Sequence, residues 1–147
     1  MNPPKIITAE QLQAYLWQAG YETGTWSCAD RQYVMPTRDF LTGAFAAALW
    51  SFLTFFKLTT WIEESHDCDD FARLASAFAQ ILHVLTPGRP PATALALGEF
   101  WYMQDSGGGH AINIVLIDEE VVTYEPQTRR VVELSDTEKK SGMHTRF

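Results

Sequence analysis

The sequence predicts an α+β domain, with N-terminal helices packed on a C-terminal antiparallel sheet. Three observations predict it. Apolar residues recur at helical spacing in the first 85 residues. From residue 94 onward the period becomes extended. Between the two lies TPGRPPAT at 86–93, whose proline and glycine content stops a helix. Helices first and strands second make the α+β class. The chain has 147 residues, enough for one domain with one core, read as 1–147.

The first element is TAEQLQAYLWQAG. Thr8 with Gln11 forms a capping box, Leu12, Tyr15, Leu16 and Ala19 follow at helical spacing, and Gly20 suits the stop. Residues 21–36 alternate weakly and contain Gly24 and Pro36, which reads as loop with one or two short extended pieces. Thr37 can cap a second helix to about Phe56, expected to be buried because it is apolar throughout. A third helix starts at HDCDDF, with Asp67 at the N-cap and Asp70 three residues on. Phe71, Leu74, Ala75, Phe78, Ile81, Leu82 and Leu85 mark its apolar face. ALALGEFWYMQ (94–104), HAINIVLI (110–117), VVTYEPQ (121–127) and RRVVEL (129–134) then read as strands of a meander. The tail SDTEKKSGMHTRF reads as a polar, fraying end with at most a helical turn.

Composition narrows the function. Net charge is −7 and pI about 4.9, which argues against a general nucleic-acid or anionic-membrane binder and is compatible with cation binding. The most apolar run, 40–56, is 17 residues long, short of the ~20 a spanning helix needs. MNPPKIITAEQ has no apolar signal region, so a cytoplasmic location with reduced cysteines is expected.

Chemistry concentrates at Cys68, set among Asp67, Asp69 and Asp70. Carboxylates hold a thiol protonated, whereas the first position of a helix favours a thiolate. His110 follows the glycines of DSGGG and opens a strand that is apolar apart from Asn113, hence central. A histidine there can face the helix start and serve as base to the sulfur. Glu125 on the next strand can hold the imidazole. A turn at Glu119–Glu120 leaves it about 13 Å along the sheet from His110, whereas a tighter turn near Ile117–Asp118, or a bulge, closes the gap. Gln127 has the same parity and is the reserve. Against this, a lone cysteine at a helix start is more often structural, and an acidic cluster is often capping alone. Cys28 reads as structural, and His66, His83 and His144 as surface or packing residues.

DCDDFA, GHAINIV and YEPQ resemble the papain-like, calcium-dependent cysteine protease domain at the C-terminus of the Marasmius oreades agglutinin, which has stand-alone relatives in bacteria and phages. The resemblance covers residues 30 to 135. No lectin β-trefoil is visible in the sequence. The resemblance implies a thiol hydrolase acting on a peptide or protein substrate, with Cys68 as nucleophile, His110 as base and Glu125 as orienting carboxylate. It also implies Ca²⁺ held by Asp67, Asp69 and Asp70, with Glu63 and Glu64 added from proximity. The Cys68 N–H and, more weakly, Gln32 are candidates for the oxyanion hole. Ca²⁺ on the aspartates would cancel their charge and lower the thiol pKa.

Three other readings compete. An NlpC/P60-like cell-wall amidase has a similar start, but Asp69 and Asp70 stand where Ser-Gly is expected. A zinc site of Cys68, His110 and an acid has a spacing of 42 residues (110 − 68), no standard signature. A non-catalytic module on the papain-like frame could present Trp101 and Tyr102 to a partner.

Overall fold

The computed structural model describes residues 5–63 and 65–147, and Glu64 lies outside them. The chain is β-rich. β1 (Ile6–Thr8), α1 (Ala9–Gln18), β2 (Thr23–Ser27) and β3 (Gln32–Val34) come first. A π-helical stretch, Phe40–Phe45, runs into α2 (Ala46–Phe55), and α3 is Cys68–Leu85. Then follow β4 (Ala94–Leu95), β5 (Leu97–Met103), β6 (Gly109–Ile117), β7 (Glu120–Glu125), β8 (Arg130–Val132), α4 (Asp136–Lys140) and β9 (Gly142–Arg146). The helix starts form as their sequences direct. Thr8 and Gln11 exchange both capping bonds, Thr37 Oγ1 accepts from the Phe40 N–H, and Asp70 accepts from the Asp67 N–H at 3.4 Å.

The architecture corrects the expectation of helices packed on a C-terminal antiparallel sheet. Among the described residues there are two sheets. One has three strands in the order β1-β3-β4, and the other has six in the order β2-β9-β5-β6-β7-β8. The large sheet is mixed, because β2 from the N-terminal half pairs parallel with β9. Residues 21–36, read as mostly loop, supply β2 and β3. The tail read as fraying supplies β9, which lies between β2 and β5. Polarity misled there, since GMHTR exposes its outward residues while Thr145 is buried.

Both faces of the large sheet are covered. Leu12 and Leu16 of α1 and Tyr21 pack with Phe100, Tyr102, Ile112 and Ile114. On the opposite face, Phe71, Ala75 and Ala79 of α3, with Leu41, Phe45, Leu49 and Leu53, pack with Leu97, Val115, Val122 and Tyr124. Burial on both sides explains the continuous apolar run of β6, each large side chain contributing about 1.5–3 kcal/mol. The 40–56 helix buries only the stripe at 41, 45, 49 and 53 and leaves Trp50, Phe55 and Phe56 exposed. It is therefore not the wholly buried helix its composition suggested. No helix among the described residues is long and apolar enough to cross a membrane.

The β6–β7 turn fixes the register. Asp118 and Glu119 have φ of 49° and 72°, a two-residue turn with both residues left-handed. Ile117 therefore pairs with Glu120 and Asn113 with Tyr124. The turn sits one residue earlier than Glu119–Glu120, and that moves every partner by two positions without changing its face.

Two glycines probe the packing. A Cβ on Gly98 would lie 2.2 Å from the Arg146 carbonyl oxygen, whereas one on exposed Gly43 meets nothing within 4 Å. Gly98→Ala is expected to lower unfolding free energy by about 2–3 kcal/mol, and Gly43→Ala to raise it by about 0.5 kcal/mol. Urea denaturation followed by circular dichroism checks both signs.

Candidate functional site

Cys68 is the first residue of α3, at the helix end where backbone N–H groups are unpaired and the dipole favours an anion. α3 is held to the sheet by Asn113, whose Nδ2 donates to the Ala72 carbonyl at 2.8 Å and the Gly98 carbonyl at 3.0 Å. The Ala111 N–H of β6 faces the Cys68 sulfur and stabilises its thiolate, while burial and the charges of Asp67 and Asp69 oppose it. Burial is the largest influence, and the thiol sits above its ordinary pKa.

His110 opens β6 beside Ala111. Its Nε2 bonds Glu125 Oε2 at 2.8 Å. Carried one step, the observed register sets Glu125 opposite Ile112, a diagonal of about 7 Å from His110. The earlier turn thus closes the expected gap. Gln127, the reserve, has another place: its N–H donates to Glu125 Oε1 at 3.0 Å and fixes the carboxylate from behind. With Nε2 engaged by Glu125, Nδ1 is the second ring nitrogen.

Tyr102, read with Trp101 as a residue to present to a partner, is instead buried beside His110. It lies directly opposite His110 on β5, and its ring meets the imidazole edge-to-face at 5.8 Å. Burial, then the charges of Glu138 and Glu125, push its phenol up to about 12, and the Cys68 charge acts the same way. It stays a neutral phenol at neutral pH. The glycines were the missed signal. Gln104 N–H bonds the Gly108 carbonyl, and Gly107 and Gly108 take positive φ, so the hairpin register follows from counting outward across them.

Asp67, Asp69 and Asp70 offer oxygens that all lie within 4.8 Å of one another. Glu63, in the turn before them, is outside that group, and Glu64 lies outside the described residues. The side chain of Asp69 is pushed up from its ordinary pKa, first by a hydrogen bond with Asp67, then by burial and the Asp67 charge. Arg73, one turn along, bonds Asp69 at 3.0 Å and Asp70 at 3.5 Å and was not singled out in the sequence. Gln32 is an exposed residue of the three-stranded sheet. Cys28 and Cys68 are both free thiols, and burial raises the Cys28 pKa as well. His66 and His83 are buried and face the carbonyls of Leu58 and Thr93, while His144 bonds Thr25 at 2.6 Å.

No family model matches the sequence, and no curated protein matches it. Solved structures do match. The PSL1a–E64 complex has a TM-score of 0.72 at 20% identity, over 97% of this chain and 51% of that chain. Polyporus squamosus lectin bound to the human-type influenza-binding epitope Neu5Aca2-6Galb1-4GlcNAc has a TM-score of 0.71 at 20% identity, over 97% of this chain and 49% of that one. The chain therefore spans about half the length of the solved chains it resembles. At this identity the likeness shows the fold alone.

The likeness corrects the family resemblance. The matched chains are Polyporus squamosus lectin, where the sequence motifs had given a papain-like, calcium-dependent cysteine protease domain. The papain-like label for the fold is withdrawn with it, as are the cysteine-peptidase activity and the peptide or protein substrate. The NlpC/P60 amidase and the inactive papain-like module rested on the same frame and go too.

The acidic group and the thiol are electrostatically linked, which gives a test. A folded-state carboxyl pKa raised above its unfolded value contributes stability that is present below the unfolded pKa and lost as pH rises through the folded pKa. Asp69→Asn is expected to lose less stability than the parent between pH ~4 and ~7. It is also expected to alkylate faster at Cys68 with iodoacetamide at pH ~8, because one charge that opposes the thiolate is gone. Denaturation at the two pH values and labelling at the third, with Cys28→Ala as the common background, read both.

Proposed function

We propose that Cys68 is the reactive thiol of a small-molecule site on this lectin-like fold, with His110 taking its proton and Glu125 orienting His110. The observation that carries this reading is the His110–Glu125 bond of 2.8 Å, formed beside the Ala111 N–H that faces the sulfur. The thiol proton passes to Nδ1, the carboxylate supports the resulting imidazolium, the sulfur bonds an epoxide carbon of the ligand as the ring C–O bond breaks, and the imidazolium gives its proton to the oxygen released. One of the matched structures is a complex with E64, and E64 is the ligand assigned here to Cys68. Intact-mass spectrometry is expected to show one added E64 per chain, absent in Cys68→Ala and retained in Cys28→Ala. His110→Ala should slow the addition about 100-fold or more. Addition at Cys28, or at an unchanged rate in His110→Ala, overturns the assignment.

A second reading is favoured by the other matched structure, a lectin bound to a sialylated glycan. Saturable heat on titration with Neu5Aca2-6Galb1-4GlcNAc, undiminished in Cys68→Ala, would make glycan binding the function of this fold unit.

We further propose that the aspartates beside Cys68 hold Ca²⁺. Asp67, Asp69 and Asp70 are hard oxygen donors gathered within 4.8 Å, and a divalent ion there would offset the Asp67 charge that weighs on Asp69. Glu63 can complete the shell only by moving toward them. Millimolar calcium is expected to raise the melting temperature and quicken Cys68 labelling, with reversal by EDTA. Neither change should survive in Asp69→Asn/Asp70→Asn. An equal shift in that variant places the ion elsewhere.

A further inference from the structure

Glu99 sits on the α3-facing side of β5 and is 4% exposed. Its one side-chain hydrogen bond among the described residues comes from Trp101 Nε1, at 3.3 Å to Oε2. No ion pair among the described residues includes it. A carboxyl so placed has given up most of its water for one hydrogen bond from the protein. It lines a cavity of about 260 Å³ between α3, β5 and the ends of β2 and β9, apart from Cys68 and His110.

Arg146 lines the same cavity and lies directly opposite Glu99 in the β5–β9 register. Directly opposed residues project from the same face. Arg146 likewise enters no ion pair among the described residues. The cavity therefore sets Glu99 and Arg146 side by side without an ion pair between them, with Asp30 and Arg73 as the other charged residues of its lining. Much of the wall beside them is engaged elsewhere. Gln80 is spent on both backbone groups of Leu95, and Arg73 is held by Asp69 and Asp70. Phe147 and Ala77 give an apolar side. A ligand that fits must be small, carry both charges close together and have an apolar remainder.

We propose that this cavity binds a zwitterion of the α-amino-acid type, with its ammonium on Glu99 and its carboxylate on Arg146. Charge-assisted hydrogen bonds, to a buried Glu99 and an exposed Arg146, supply the affinity, and the paired charges supply the selectivity. Three probes separate the contributions: L-leucine, L-leucinamide, which lacks the carboxylate, and N-acetyl-L-leucine, which lacks the ammonium.

Isothermal titration with the full chain is expected to show saturable leucine binding, no binding of N-acetyl-leucine, and leucinamide weaker by about tenfold. Glu99→Gln, with an unchanged near-ultraviolet spectrum, should weaken leucine by about tenfold or more. Arg146→Met, at an exposed position that leaves the core intact, should bind leucine only as well as leucinamide and show no further loss with leucinamide. Absence of leucine binding at millimolar concentration overturns the proposal. So does equal binding of N-acetyl-leucine, or leucine affinity unchanged in Arg146→Met.

Discussion

The seating of α3 on the large sheet is the constraint on which the rest depends. One amide sets it. Asn113, wholly buried in the central strand, donates to the Ala72 carbonyl of α3 and the Gly98 carbonyl of β5. Each bond is individually modest, yet leaving either carbonyl or the amide unpartnered in that interior would cost the desolvation of the group. The bonds therefore specify where along β6 the helix rests. Ser76 to Leu97 and Gln80 to Leu95 repeat the device further along α3. A helix pinned at three heights cannot slide, so Cys68 is delivered to the Ala111 N–H.

The helix start is then a contest between opposing fields. The helix end and the Ala111 N–H favour the thiolate; burial and two carboxylates oppose it, and the opposition prevails. The same aspartates burden one another, since Asp69 is raised chiefly by Asp67. Arg73 relieves part of the strain from one turn away. It is half-exposed, so its help is screened by solvent. Within the proposed calcium reading, a divalent ion offsets the charge of Asp67 on Asp69 and competes with Arg73. Its charge lowers the negative field felt by the sulfur.

Local chemistry was legible in the sequence, while long-range pairing was not. The capping residues Thr8, Thr37 and Asp70, the apolar face of α3, and the centrality of β6 follow from spacing alone. His110 and Glu125 came from their strands, and they meet, but the distance between them depended on one residue of turn placement. Asp118 and Glu119 both adopt left-handed backbone without glycine, so no residue type announced the turn. β9 was hidden differently. Its polar residues suit an exposed end, and what makes it an inner strand is close approach: a Cβ on Gly142 would lie 2.0 Å from the Glu22 carbonyl oxygen. A parallel partner more than a hundred residues away leaves no local trace. The motif resemblance erred for a related reason. It read short segments around Cys68, His110 and Glu125, and short segments cannot report a six-stranded mixed sheet.

Arg73 joins the two regions that the strand pattern separates. Its guanidinium lies against Asp69 and Asp70, within 5.9 Å of the Trp101 ring, and along the cavity that holds Glu99. Trp101 in turn donates to Glu99. A cation bound at the aspartates would weaken the hold on Arg73 and leave that side chain to lean toward the cavity, where a carboxylate on Arg146 would find a second partner. Coupling of this kind is reciprocal by linkage. A zwitterion that draws Arg73 away from Asp69 must equally strengthen cation binding at the helix start. The route runs through one side chain with two sets of partners, so it needs no movement of α3, which Asn113 holds in place.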